Sequence, residues 1–135
     1  MNLLAVRLCG YMMALHRQWG ISPDAMTEMI YSEEAVYHAV GKTGVLAFLG
    51  DYCLAAWPPY EQPLVVREVH RLIGNRLKER GFTLHMVYPL NFRSVKVTRK
   101  MGAVPLGYDA DGFVHYRLDR ENYPYGKEKS APQAA

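Results

Sequence analysis

Several features that would announce a large protein class are missing from this sequence. No apolar stretch approaches the ~20 residues a membrane-spanning helix requires; the longest, residues 3–6 and 44–49, are far shorter. No segment has the basic, apolar and small-residue layout of a secretory signal, so a cytoplasmic location and no membrane partner are expected. Cysteine is scarce. Cys9 and Cys53 stand inside hydrophobic patterns without C-x-x-C spacing and are expected to be reduced core residues, not a disulfide or a zinc site. The five histidines, His16, His38, His70, His85 and His115, do not pair with a carboxylate on one helix face, so no metal site is expected.

Charge of one sign is also in short supply. The net charge of +3 is mild for a nucleic-acid binder, and no nucleic-acid partner is expected; it suits a groove that accepts an anionic cofactor. Half of the 135 residues are hydrophobic and 21% are charged, the balance of a folded domain. One domain over residues 1–122 is expected, followed by a flexible C-terminal tail, 123–135, that has Pro, Gly, Lys, Ser, Gln and Ala and almost no apolar content.

The apolar spacing then gives the elements. Leu4, Leu8, Met12, Leu15 and Trp19 share one helical face, closed by Gly20. Ser22, Pro23 and Asp24 form a helix start that leads to Met26, Met29 and Ile30. Ser32, Glu33 and Glu34 predict a further short helix carrying Val36 and Val40 and ended by Gly41. Residues 44–57 read as a hairpin turning at Gly50 and Asp51. Val66, Val69, Ile73 and Leu77 predict a helix over 64–80 with Gly81 as its stop. A strand over 83–89, a helix over 91–101 and a second hairpin over 104–118 follow. The fold class expected is α+β, a layered, mixed and mainly antiparallel sheet flanked by helices.

Residues 88–107, YPLNFRSVKVTRKMGAVPLG, resemble the late signature of GNAT-type N-acetyltransferases. In that family a strand ends in Pro-x-Asn, and a helix follows with Ser or Ala three residues after the Asn. A Lys-x-Gly stop then precedes a strand that often contains glycine. Pro89, Asn91, Ser94, Lys100, Gly102 and Gly107 fall at those spacings. The resemblance covers about residues 44–118 and is closest to the branch that acetylates protein alpha-amino groups. It implies a GNAT-like fold, acetyl-CoA as cofactor, an amine acceptor, and Asn91 and Ser94 beside the cofactor arm.

Two stretches depart from the family pattern. Its pyrophosphate loop, Gln/Arg-x-x-Gly-x-Gly/Ala, presents backbone amides at a helix start. The corresponding residues 58–65, PPYEQPLV, have no glycine and three prolines, each without an amide donor. Many members also place a proton-donating tyrosine seven residues after the Asn, where this chain has Thr98, a poor acid at neutral pH.

Other candidates come from the residues themselves. Arg93, Lys96 and Lys100 form a positive helical stripe, which is either a solvated face or, through Lys96 and Lys100, an attractor of cofactor phosphates. His85 is the candidate base because its pKa lies near neutrality, although His85 and Tyr88 have opposite parity and face opposite sides of a strand. Gly41-Lys42-Thr43 lacks the earlier glycine of a phosphate loop, since Val36 stands there.

Two functions of different class follow. The first is an N-acetyltransferase moving an acetyl group from acetyl-CoA to an amine, with His85 and Thr98 as the catalytic candidates. The second is a non-catalytic protein of the same fold that binds a protein partner. It resembles the degenerate acetyltransferase-like proteins of phage virions, which implies a virion location if the chain is phage-encoded. Residues 58–64 separate the two: free amides facing a cleft favour the enzyme, whereas prolines and side chains filling that space favour the binding protein.

Overall fold

A computed structural model describes residues 2–22, 24–32 and 34–125. Its class is the expected one, α+β, with four helices and six strands among the described residues and antiparallel ladders between strands. Two compact units make up the chain, one ending at Val69 and the other beginning at His70.

In the first unit, α1 (Leu3–Trp19) starts at Asn2, whose side chain accepts hydrogen bonds from the amides of Leu4 (2.8 Å) and Ala5 (3.3 Å). It stops at Gly20, where φ is 67° and the amide donates to the His16 carbonyl at 2.8 Å. Only glycine holds that left-handed stop without strain. Ala5, Leu8 and Met12 are its buried stripe, and the helix packs on β1 (Ala35–Val40), β2 (Gly44–Leu49) and β3 (Tyr52–Ala56). The second helix, α2 (Asp24–Ser32), turns Met26 and Ile30 inward, one helical turn apart.

One expectation is overturned here. Residues 35–40 form strand β1, not a short helix, and Gly41 opens a hairpin turn in place of ending a helix. The two β-branched valines with Tyr37 suit a pleated surface, and the run pairs residue for residue with β2 from Ala35↔Leu49 to Val40↔Gly44. β3 pairs with the other edge of β2. β2 is thus the central strand of this ladder and is buried along its whole length.

α3 (Gln62–Arg80) begins in the first unit and runs into the second, where Leu72, Ile73 and Leu77 are buried. Gly81, at φ 87°, ends it by donating to the Leu77 carbonyl at 2.7 Å. In the second unit β4 (Phe82–Val87) pairs with β6 (Val114–Asp119), which pairs in turn with β5 (Val104–Tyr108). Thr83, His85 and Val87 stand opposite Leu118, Tyr116 and Val114, and all six are buried. Each large apolar side chain enclosed in this way contributes about 1.5–3 kcal/mol. α4 (Phe92–Lys100) packs on β4.

Tyr123, the first residue of the expected tail, is 2% exposed, and its hydroxyl donates to the His70 carbonyl at 2.6 Å. Tyr125 stacks on the His70 ring with 3.7 Å between centroids. The rest of that stretch, 126–135, lies outside the described residues.

Candidate functional site

The residues singled out around position 91 are organised by the start of α4. Asn91 is the cap, its side-chain oxygen accepting from the Ser94 amide at 3.4 Å, which satisfies one of the orphan donors of the first turn. Asn91, Ser94, Val95, Thr98 and Met101 recur at three- and four-residue steps and form the inward side of the helix, with Thr98 and Met101 buried. Lys96 and Lys100 are exposed, together with Arg93 and Arg99. The four expected cofactor residues therefore divide: Asn91 and Ser94 meet in the cap, and Lys96 and Lys100 face outward. Thr98, at the position where many GNAT-type enzymes have a tyrosine, is enclosed.

His85 lies on the buried face of β4, hydrogen-bonded through Nε2 to the Thr83 hydroxyl at 2.8 Å. Burial pushes its pKa down to about 4, because a charged imidazole there would lose its hydration, so the ring is neutral at physiological pH. Tyr88, just past the end of β4, meets Phe113 edge to face at 6.3 Å.

Residues 58–64 have a different organisation from a glycine loop. Pro59–Glu61 form one turn of 3₁₀ helix that leads directly into α3. The Glu61 amide donates to the Pro58 carbonyl at 3.0 Å and the Gln62 amide to the Pro59 carbonyl, while Pro59 and Pro63 have no amide hydrogen to offer. Trp57 Nε1 closes the entry by donating to Gln62 Oε1 at 2.6 Å.

The Glu61 carboxylate is the centre of this region, and it is 5% exposed. One oxygen accepts from the amides of Lys42 (2.7 Å) and Thr43 (3.3 Å), the other from the Thr43 hydroxyl (2.8 Å). These bonds, the Thr43 hydroxyl foremost, hold its pKa below the ordinary glutamate value, against the opposing effect of desolvation. The Gly41-Lys42-Thr43 turn thus presents two amides to an anion, and the anion is a side chain of the protein itself. Gly41 is required for this fit. Its φ is 60°, and a Cβ there would strike Glu61 Oε1 and come within 2.7 Å of Val65. A pyrophosphate brought to this helix start would meet a buried carboxylate and a scarcity of donors, so the residues do not fit the cofactor's usual cradle.

Sequence reasoning missed two groupings. Glu61 was one acid among prolines, and its partners lie 18 and 19 residues earlier with no local pattern to connect them. In the β5–β6 turn, Asp109 accepts from the amides of Asp111 (2.9 Å) and Phe113 (3.0 Å) and pairs with His115 Nε2 at 2.7 Å. The Asp-x-Asp-Gly turn was its visible signal.

Cys53 is buried and Cys9 is partly exposed, and neither is in a disulfide. Among the described residues no three His, Cys, Asp or Glu side chains gather as a metal site, and no helix is long and apolar enough to cross a membrane. No protein-family model matches the chain, and no curated protein matches it.

Proposed function

We propose that this chain is a non-catalytic structural or interaction protein on an acetyltransferase-like fold, with a protein as its partner. The observation that carries the reading is Glu61: in the stretch that corresponds to the pyrophosphate loop, just before α3, an ionised carboxylate stands where an anion would have to bind, and it is held by the amides of Lys42 and Thr43 from the β1–β2 turn. Neutral His85, enclosed against Thr83, supports the same reading, since a general base must reach the proton it removes. The second reading is acetyl transfer from acetyl-CoA to an amine. In its favour stand Lys96 and Lys100, exposed on the helix whose cap contains Asn91 and Ser94.

Thermal melting with and without acetyl-CoA decides between them. A ligand at a hundred times its dissociation constant stabilises a fold by about 2.7 kcal/mol. The melting temperature is expected to stay unchanged at millimolar acetyl-CoA, and no free coenzyme A thiol is expected to form with amine-bearing peptides. A saturable upward shift, or thiol release, would overturn the proposal.

A further inference from the structure

The second unit has an outer surface that its own core does not use. β5 stands at the end of the strand order and pairs through one edge only, with β6. All five of its residues, Val104–Tyr108, are exposed, and none is charged. Val104, Leu106 and Tyr108 are each more than half exposed, as are Leu90 and Phe92 at the entry to α4. Natural edge strands are commonly guarded by a charge pointing along the edge. Here only Pro105 and a register shift between Pro105 and Gly107 interrupt the edge, and the shift leaves Leu106 without a cross-strand partner.

The helix that precedes this apolar strand in the chain is cationic. α4 leads into β5 through residues 101–103, and Phe92, Lys96 and Lys100 recur along it at four-residue steps, with Arg99 beside them. Lys96, Arg99 and Lys100 are exposed and, among the described residues, have no ion-pair partner; α4 contains no acid. The bias extends further. Residues 70–135 hold 12 of the chain's 16 Lys and Arg but only 6 of its 13 Asp and Glu.

We infer that α4 and the edge strand β5 form a docking surface for an extended acidic segment of a partner protein, one in which glutamate or aspartate alternates with large apolar residues. The inference rests on the interaction-protein reading above and names the partner's chemistry. Charge selects the acidic partner, since opposite potentials steer and align a complex. The open strand edge selects a polypeptide, because its unpaired amides and carbonyls are answered by another backbone. Three of the five exposed apolar side chains are aliphatic, and they gain little from a base or a phosphate.

The test uses the full chain and a short fluorescein-labelled peptide of alternating glutamate and leucine, read by anisotropy, with glutamate–serine and lysine–leucine peptides as controls. Saturable binding of the first peptide alone is expected, with amide shifts in nuclear magnetic resonance confined to residues 90–108. Lys96→Glu with Lys100→Glu, and separately Leu106→Ser with Tyr108→Ser, should each weaken it by about tenfold or more, which is 1.4 kcal/mol. All four positions are exposed, so both pairs should keep the wild-type melting temperature; if a pair does not fold, Lys100→Glu and Leu106→Ser alone serve as the readout. Absent binding, equal binding of the lysine peptide, or folded variants that bind like wild type would overturn the inference. So would displacement of the peptide by phosphatidylserine vesicles or by polyuridylate, which would reassign the surface to a membrane or to single-stranded nucleic acid. An acetyl-CoA melt on the same sample keeps the two conclusions apart. A cofactor shift sinks the proposed function whatever the peptide does, whereas no peptide binding and no cofactor shift sinks the docking surface alone.

Discussion

The Thr83 hydroxyl and the His85 imidazole lie 2.8 Å apart on the buried side of β4, opposite Leu118 and Tyr116. This contact ties an uncharged histidine to the stability of the second unit, and so makes that stability a function of pH.

The folded-state pKa of His85 is about 4, below the ordinary 6.5. Between those values the unfolded chain takes up a proton that the folded chain refuses, so stability is complete above 6.5 and falls as pH drops towards 4. The loss by pH 5 is on the order of 2 kcal/mol. Urea unfolding of the wild type and of His85→Gln at pH 7.5 and pH 5 measures it. The variant should lose less than the wild type over that interval, and equal losses would mean that the ring is not held neutral by burial.

The Glu61 carboxylate has a depressed folded-state pKa, so its contribution is present above the ordinary 4.5 and is lost as pH falls through the lower folded value. Glu61→Gln is therefore expected to melt several degrees below wild type at pH 7 and to converge with it in acid. Thr43→Ala removes the leading hydrogen bond and should have a smaller effect of the same sign. A constant gap at every pH would assign the loss to packing instead of charge.

Two glycines separate backbone strain from collision. Gly102 and Gly112 have φ of 96° and 91°, but a Cβ at Gly102 would strike the Asn122 carbonyl oxygen while one at Gly112 meets nothing within 4 Å. Gly112→Ala should cost about 1–2 kcal/mol from the positive φ alone. Gly102→Ala should cost about 1–3 kcal/mol more, read from denaturant midpoints.

Asn91→Ala removes the cap of α4 and should cost about 1 kcal/mol. The loss is expected to be the same with and without millimolar acetyl-CoA. A cofactor-dependent difference between the variant and the wild type would place Asn91 at a working binding site.

The helices and hairpins were legible where the pattern was local. Gly20 and Gly81 sit at positive φ where the periodic residues stop, and Asn91 caps the helix that the motif implied. β1 was misread because Ser32 and two glutamates imitate a helix start, and Val36 and Val40 are spaced by four, which fits a helical face as well as two ends of a strand. Pairing with β2, which a local window does not contain, decides between them. The burial of Glu61 was illegible for the same reason, since its partners belong to another turn. His85 near neutrality made a candidate base by residue type alone; its burial is a tertiary fact.

The central position of β2 has a consequence once the fold is lost. GVLAFL carries neither charge nor proline, and native pairing through both edges keeps it from other chains. Released by heat, it is a hexapeptide suited to stacking with copies of itself in cross-β aggregates. Thermal scans of concentrated samples should therefore be irreversible and dependent on heating rate, with refolding yield rising on dilution.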